Sequence, residues 1–201
     1  GIWCNKVEIN SDLISVNLDK KILKVDGIEY SLINLPLLGE HNLKNYVCAI
    51  LAAKLGGVNI KESIDSLKNF KGVKRRMDLV YESTKLNIYD DFAHHPTAIQ
   101  LSCKGIKTQS PDKKILGIIE LGSNTMSSGY HKENLINSYE SLDKVFILDP
   151  NKIYINKNAY DTIDDILRNV KEIIHEYDII LVMSNKDSQK FIQPLIKYIE
   201  K

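Results

Sequence analysis

The sequence lacks the features that mark secreted, membrane-spanning and nucleic-acid-binding proteins. Only three of its 201 residues are cysteines (Cys4, Cys48 and Cys103), and this odd, widely spaced set suits a reducing cytoplasm better than a disulfide framework. No apolar run approaches the roughly 20 residues of a transmembrane helix, and no secretory signal is visible. The net charge is only +1 and the lysines are scattered, so nothing in the charge favours nucleic acid or an anionic membrane as a partner.

Several catalytic motifs are also missing. There is no Gly-x-x-x-x-Gly-Lys-Ser/Thr loop, so the chain has no P-loop of its own, and no Gly-x-Gly-x-x-Gly follows a strand. The zinc patterns Cys-x-x-Cys and His-Glu-x-x-His and the hydrolase elbow Gly-x-Ser-x-Gly are absent too. The chain opens on Gly1 instead of Met and runs straight into strand-like sequence, so we expect a fragment with further residues upstream.

The pattern of apolar residues predicts two domains with a boundary near residue 80. Before it, Asp26-Gly27 separates two short apolar runs, which is a strong hairpin signal, and helices are predicted at about 41–55 and 60–70. We expect Cys48 to lie in the core beneath the first helix. After residue 80, four apolar strands alternate with four helical stretches, which predicts an α/β fold with a mainly parallel sheet. The predicted strands are Asn87–Asp91, Lys114–Glu120, Lys144–Leu148 and Asp178–Met183.

Polar residues follow each of these predicted strands. The carboxyl ends of parallel strands meet at one edge of a sheet, and open α/β sheets bind their ligands there, so we expect a ligand crevice at this edge. Its candidate residues are Asp90 and Asp91, Glu120 with Ser123 and Asn124, Asp149, and Ser184 with Asn185.

The densest cluster of polar chemistry is Asp90-Asp91-Phe92-Ala93-His94-His95-Pro96-Thr97. A carboxylate at a strand end can accept both ribose hydroxyls, whereas Asp with His can instead bind a metal. Pro96 suits the first turn of a helix, which puts His94 and His95 at a helix N-terminus, where anions bind. That placement favours phosphate over zinc, although either histidine alone is as easily explained by helix capping or packing.

Three further clusters have both a functional and a structural interpretation. The carboxamides of Asn42 and Asn45 share one helical face beside His41, where they can read an adenine edge or simply cap the helix and face solvent. Lys74-Arg75-Arg76 can hold a phosphate or form a solvated basic loop. The turn at Ser123-Asn124 can contribute to an anionic substrate site or cap the next helix.

Three segments taken in order resemble the Mur ligases, the ATP-dependent amide-forming ligases of peptidoglycan assembly. They are Gly39–Asn45, Phe70–Met77 and Asp90–Ile99, and the resemblance extends from about residue 36 to 190. It implies that residues 1–79 are the last part of a central ATP-binding domain, with hairpin strands and two helices. Residues 80–201 would form the whole Rossmann-like C-terminal domain.

The resemblance also implies roles for individual residues. His41, Asn42 and Asn45 match an adenine-side motif, Arg76 the arginine that reaches the ATP phosphates, and Asp91 the ribose-binding acid. Catalytic roles would fall to Arg76, His94 and His95. The substrate-binding residues would be Thr97, Ser123, Asn124, Ser184 and Asn185.

Within the family, the Asp90–Ile99 run is most similar to members that act in peptidoglycan recycling. Such an enzyme uses ATP and Mg²⁺ to join the tripeptide L-Ala-γ-D-Glu-meso-diaminopimelate to UDP-N-acetylmuramate through an acyl phosphate. No metal ligand is expected in this chain, because the Mg²⁺ ligands would lie mostly upstream, and the chain alone is expected to be inactive. Leu121-Gly122 stand where those members have Pro-Arg, which puts a substrate-carboxylate contact there in question.

Three alternatives remain open at this point. The first is the related ligase that adds L-alanine to UDP-N-acetylmuramate, and the second is a non-catalytic nucleotide-binding module. The third is a metal-dependent hydrolase built on Asp90, Asp91, His94 and His95. This last is disfavoured, because neighbouring side chains at the start of a helix point apart.

Overall fold

The computed structural model describes residues 10, 11, 14–37, 40–122, 128, 129, 132–154 and 157–201. The chain divides into two compact units, Gly1–Gly72 and Val73–Lys201. The boundary predicted near residue 80 falls inside a strand, Asp78–Glu82, that pairs with the next strand and so belongs to the sheet of the second unit. No helix in the described ranges is both long and apolar enough to cross a membrane.

The first unit combines an antiparallel sheet with two helices. The strands are β1 (Asn10–Ser11), β2 (Ile14–Asn17), β3 (Ile22–Val25) and β4 (Ile28–Ser31), and they lie in that order. The hairpin predicted at Asp26-Gly27 is confirmed, because both residues have positive φ, 52° and 83°, as a two-residue turn between twisted strands requires. The helices are α1 (Glu40–Leu55) and α2 (Ile60–Lys68).

One helical face of α1 closes the core of this unit. Leu43, Tyr46, Val47 and Ile50 are buried at helical spacing and pack with residues of β3 and α2. The expectation that Cys48 lies in this core is wrong, since its side chain is exposed. Cys48 is one position past Val47, which turns it about 100° away from the buried face.

The second unit is an α/β domain with a mainly parallel sheet, as predicted, and this sheet has six strands instead of the four predicted. All neighbouring strands are parallel except the edge strand β5, which runs antiparallel to β6. The strands are β5 (Asp78–Glu82), β6 (Asn87–Asp91), β7 (Ile115–Glu120), β8 (Lys144–Leu148), β9 (Ala159–Tyr160) and β10 (Ile179–Met183). The helices are α3 (Pro96–Gln109), α4 (Lys132–Ser138), α5 (Ile163–Ile173) and α6 (Gln189–Ile199), with a short 3₁₀ turn at Ile174–Glu176.

Helices cover both faces of this sheet. One face packs on α5 and α6, the other on α3 and α4, and every residue of β7 and β10 is buried. This double burial is why these strands read as continuous apolar runs.

The order of the strands is β5-β6-β10-β7-β8-β9. The last strand in the sequence, β10, therefore lies between β6 and β7, and the sheet has a topological switch point there. The carboxyl ends of β6, β10 and β7 are consequently neighbours. We call this part of the sheet the switch-point edge.

Truncation of Ile180 tests the central position of β10. Ile180 is fully buried, so Ile180→Ala should lower the free energy of unfolding by about 2–5 kcal/mol through lost burial and a new cavity. Ile136→Ala, the same change at a side chain that is 56% exposed on α4, is the control and should cost about 0.5 kcal/mol or less. Urea unfolding of both variants measures this, and equal effects would contradict the complete burial of Ile180 in the sheet.

Candidate active site

The polar strand ends predicted to share one edge are held together by hydrogen bonds. The backbone amide of Ser184, just after β10, donates to the carbonyl oxygen of Asp91 at the end of β6, at 3.0 Å. The Ser184 hydroxyl donates to the carboxylate of Glu120, at the end of β7, at 2.5 Å. The predicted gathering of these strand ends at one edge of the sheet is thus confirmed.

Asp91 is a buried carboxylate surrounded by donors from three parts of the chain. Its Oδ2 accepts the amide of Met77 at 2.8 Å, and its Oδ1 accepts the amide of Ala93 at 2.7 Å and the hydroxyl of Ser102 at 3.1 Å. Burial, with the nearby charge of Asp91, raises the pKa of the Cys103 thiol to about 12. Asp91 therefore fixes the segment before β5 and the turn after β6 to the same point.

Asp90 points to the opposite face of the sheet, as adjacent strand residues must. Its Oδ2 accepts the hydroxyl of Ser188 at 2.7 Å and lies 3.4 Å from Nε of Arg75. Burial raises the pKa of Asp90, outweighing the Ser188 hydrogen bond and the charge of Arg75, which both lower it. The opposite directions of Asp90 and Asp91 leave no shared site for a metal ion. No cluster of three or more potential metal ligands occurs within the described ranges.

The switch-point edge also holds polar atoms without partners. Within the described part of the chain, the buried side-chain atoms that lack a hydrogen bond are Nε of Arg75, Oδ1 of Asp90 and Oδ1 of Asn185. An unpaired buried polar atom costs about 1–3 kcal/mol, so such atoms are uncommon in parts of a protein that serve stability alone. Their concentration at this edge marks it as the candidate site.

Phe92 forms a platform for two arginines and a histidine. The guanidinium carbons of Arg75 and Arg76 lie 5.2 and 5.5 Å from the centre of its ring, within the range of a cation–π interaction. The ring of His94 meets it edge-on at 5.3 Å. The guanidinium of Arg76 is exposed and forms no hydrogen bond or ion pair with any described residue. It is therefore available to an anion.

The two histidines of the motif have different surroundings. Nδ1 of His94 lies 2.9 Å from the carbonyl oxygen of Phe92, and since a carbonyl only accepts, Nδ1 carries the proton. In the neutral ring Nε2 of His94 is then free of a proton and can accept one. His95 caps α3 through Nδ1, which accepts the amide of Thr97 at 3.4 Å, and Pro96 occupies the first turn as predicted.

The side chain of Asn185 lies against Gly122, the second residue after β7. A Cβ at Gly122 would stand 2.3 Å from Oδ1 of Asn185 and 3.1 Å from the aliphatic stem of Lys186. A side chain at Gly122 would therefore require the carboxamide of Asn185 to move. Lys190 pairs with Glu120 and neutralises this buried carboxylate.

The remaining predicted residues belong to the first unit or lie outside the described residues. Asn42 and Asn45 lie in the first two turns of α1, in the first unit, and Asn45 is exposed. The side chain of His41, and the whole of Ser123 and Asn124, are outside the described residues.

The sequence patterns did not single out several residues that build the edge. Ser102 lies in α3 and donates to Asp91, 11 residues before it, whereas Ser188 directly precedes α6 and donates to Asp90, 98 residues before it. The sequence predicted Glu120 as a polar residue at a strand end, but it did not predict that Glu120 pairs with Lys190. Arg75 was visible only as part of a basic run. The sequence signal that could have found Ser102 and Ser188 is a serine within or just before the helix that follows a polar strand end.

The pH dependence of stability tests the raised pKa of Asp90. A raised pKa means that the folded state holds the Asp90 proton at pH values where the unfolded chain has lost it. The free energy of unfolding of the wild type relative to Asp90→Asn should therefore fall as the pH rises above about 4, and level off once folded Asp90 is ionised. Urea unfolding of both proteins between pH 4 and 8 measures the difference. A difference that rises with pH would mean that the Arg75 charge outweighs burial.

Known proteins are similar in sequence to this region of the chain. The family model described as Mur ligase, glutamate ligase domain, matches residues 75–186. The UDP-N-acetylmuramate–L-alanyl-γ-D-glutamyl-meso-2,6-diaminoheptandioate ligase of Haemophilus influenzae is 33% identical over 165 residues, which cover 74% of this chain and 36% of that protein. The UDP-N-acetylmuramate–L-alanine ligase of Cytophaga hutchinsonii is 38% identical over 95 residues, covering 47% and 20%.

A solved structure agrees over nearly the whole chain. The murein peptide ligase of Psychrobacter arcticus matches with a TM-score of 0.68 and 27% identity, covering 92% of this chain and 43% of that one. The chain spans about a third of the length of the curated Haemophilus relative. With the parallel sheet, the switch-point edge and a family match over more than half of its residues, the chain belongs to the Mur ligase family.

Proposed function

We propose that this chain is part of an ATP-dependent ligase that joins L-Ala-γ-D-Glu-meso-diaminopimelate to UDP-N-acetylmuramate in peptidoglycan recycling. The observation that carries the proposal is the switch-point edge, where a free guanidinium (Arg76) and an imidazole (His94) lie one strand away from Ser184 and Asn185. The 33% identity with a ligase named for this reaction supports the choice of substrate.

The reaction requires two steps at neighbouring positions. The muramate carboxylate attacks the γ-phosphorus of ATP, which forms an acyl phosphate and releases ADP. The amine of the tripeptide then attacks the acyl carbon, and collapse of the tetrahedral intermediate breaks the C–O bond and releases inorganic phosphate. Positioning and neutralisation of charge supply most of the catalysis of phosphoryl transfer.

The exposed guanidinium of Arg76 suits the first step. It can neutralise phosphate oxygens in a way that half-buried Arg75 cannot, since Arg75 is already bound to protein oxygens. His94 suits the second step, because its free Nε2 can take a proton from the attacking amine. The cap that His95 provides orders the helix start beside it.

The other predicted contacts remain proposals with different degrees of geometric support. Thr97, Ser184 and Asn185 would face the acceptor, with Asn185 contributing an amide oxygen that has no hydrogen-bond partner among the described residues. The ribose role of Asp91 would use the capacity of Oδ2, which accepts only one hydrogen bond here. His41, Asn42 and Asn45 would contact adenine, and Ser123 and Asn124 the acceptor.

Magnesium does not fit the described residues. The oxygens of Asp90 and Asp91 point to opposite faces and accept protein donors, so we assign no Mg²⁺ ligand among them. Mg²⁺ bound elsewhere in the enzyme would neutralise phosphate charge.

The second candidate is the L-alanine ligase reaction. The Cytophaga enzyme, which is named for that reaction, is 38% identical to this chain over 95 residues, and this similarity supports the second candidate. The two reactions differ only in the acceptor amine. A panel of amines, measured with ATP and UDP-N-acetylmuramate on the full-length gene product, therefore separates them. We expect kcat/KM for the tripeptide to exceed that for L-alanine by about tenfold or more. Preference for L-alanine would favour the second candidate, and ATP binding without amide formation would favour a non-catalytic nucleotide-binding module.

Arg76→Met in the full-length gene product tests the phosphate role. Loss of one charge-stabilising donor typically lowers the rate by about 100-fold or more, so kcat/KM for ATP should fall by about that factor. Arg168→Met is the matched control, because Arg168 is an exposed arginine on α5 that pairs only with Asp165 among the described residues. It should retain wild-type activity. Wild-type kinetics in Arg76→Met would rule out the assigned role.

A further inference from the structure

Arg75 connects three separate parts of the switch-point edge. Its Nη2 donates to the carbonyl oxygen of Ser184 at 2.5 Å, its Nε lies 3.4 Å from Oδ2 of Asp90, and its guanidinium lies 5.2 Å from the ring centre of Phe92. Ser184 follows β10, Asp90 is in β6, and Phe92 begins the turn that carries the histidines. A single side chain thus touches both the acceptor side and the phosphate side of the proposed site.

The backbone of Arg75 is held as firmly as its side chain. Its carbonyl oxygen accepts a hydrogen bond from the amide of Phe92 at 2.7 Å, and its own amide donates a hydrogen bond to the carboxylate of Asp78 at 3.4 Å. Its φ is +60°, a strained value for a residue with a side chain. With this backbone geometry the guanidinium of Arg75 contacts Ser184 and Asp90 at the switch-point edge. The exposed guanidinium of Arg76 reaches the same Phe92 ring that Arg75 contacts.

We propose that Arg75 is a positioning residue of the ligase reaction, which sets Arg76 and the Ser184–Asn185 end of β10 at a fixed separation without touching substrate. This inference rests on the proposed function. The contact between Arg75 and Asp90 is not a well-formed hydrogen bond, because Nε of Arg75 only approaches Oδ2 of Asp90 to 3.4 Å, and Oδ1 of Asp90 stays buried without a hydrogen bond.

Lysine should not replace Arg75. A planar guanidinium can donate to a carbonyl, face a carboxylate and lie on an aromatic ring at the same time, whereas an ammonium is a point charge on a flexible stem. Arg75→Lys keeps the charge beside Asp90 but loses this simultaneous contact. It therefore separates positioning from simple charge neutralisation.

The kinetic test compares Arg75→Met, Arg75→Lys and Arg168→Met in the full-length gene product. We expect kcat to fall about tenfold or more in both Arg75 variants, with KM for ATP changed by less than about threefold, because alignment in the transition state is lost and ground-state binding is not. Arg168→Met, the same change on exposed α5, should match the wild type. Wild-type kcat in Arg75→Met, full rescue by lysine, or a loss confined to KM would each overturn the inference.

A spectroscopic test on the 201-residue chain does not depend on turnover. Stacking on Phe92 should shift the side-chain proton resonances of Arg76 upfield in the wild type and in Arg168→Met, and Arg75→Met should abolish most of this ring-current shift. An unchanged Arg76 shift in Arg75→Met would overturn the positioning role even if the enzyme is a ligase. Conversely, a full-length wild type that forms no amide refutes the proposed function, whereas loss of the Arg76 shift would still support the placement of Arg76 by Arg75.

Discussion

The carboxylate of Asp91 is the constraint on which the candidate site depends. It is buried, and a buried carboxylate is tolerated only when donors surround it. Those donors are the amides of Met77 and Ala93 and the hydroxyl of Ser102, which come from the segment before β5, the turn after β6 and the middle of α3. The hydrogen bonds to this one charge hold three segments together, and the bond from the amide of Phe92 to the carbonyl oxygen of Arg75 joins two of them a second time. Phe92, and with it the platform for Arg76 and His94, takes its position from this point.

The position of β10 brings the two halves of the proposed chemistry together. Because the last strand inserts between β6 and β7, Ser184 reaches both the carbonyl of Asp91 and the carboxylate of Glu120. Each carboxylate at this edge has a specific counterpart on a helix or loop: Ser188 with Arg75 for Asp90, Ser102 for Asp91 and Lys190 for Glu120. Polar groups that lower the stability of the fold are thus concentrated where a ligand can contact them. The continuous apolar strands of the sheet supply the stability.

Local sequence signals predicted most of the fold. The Asp26-Gly27 turn and the strands Asn87–Asp91 and Lys144–Leu148 were confirmed because turn chemistry and apolar runs are encoded within a few residues. Edge strand β5 was not predicted, since it is half-exposed and Leu79 faces solvent, and β9 has only two residues. The placement of Cys48 failed because one position separates the two faces of a helix. In the site, the strand-end residues were predicted from position alone. The partners of Asp90 and Asp91 were not, because a backbone amide such as that of Met77 leaves no mark in the sequence.

Amide hydrogen exchange at Met77 and Ala93 tests the central claim most directly, because Asp91 is the acceptor for both amides. The account predicts that both exchange about 100-fold or more slowly than unstructured amides in the wild type, and that both lose this protection together in Asp91→Ala while amides in the centre of β7 keep theirs. Rapid exchange of either amide in the wild type, or protection that survives Asp91→Ala, would show that the switch-point edge is not built on this carboxylate.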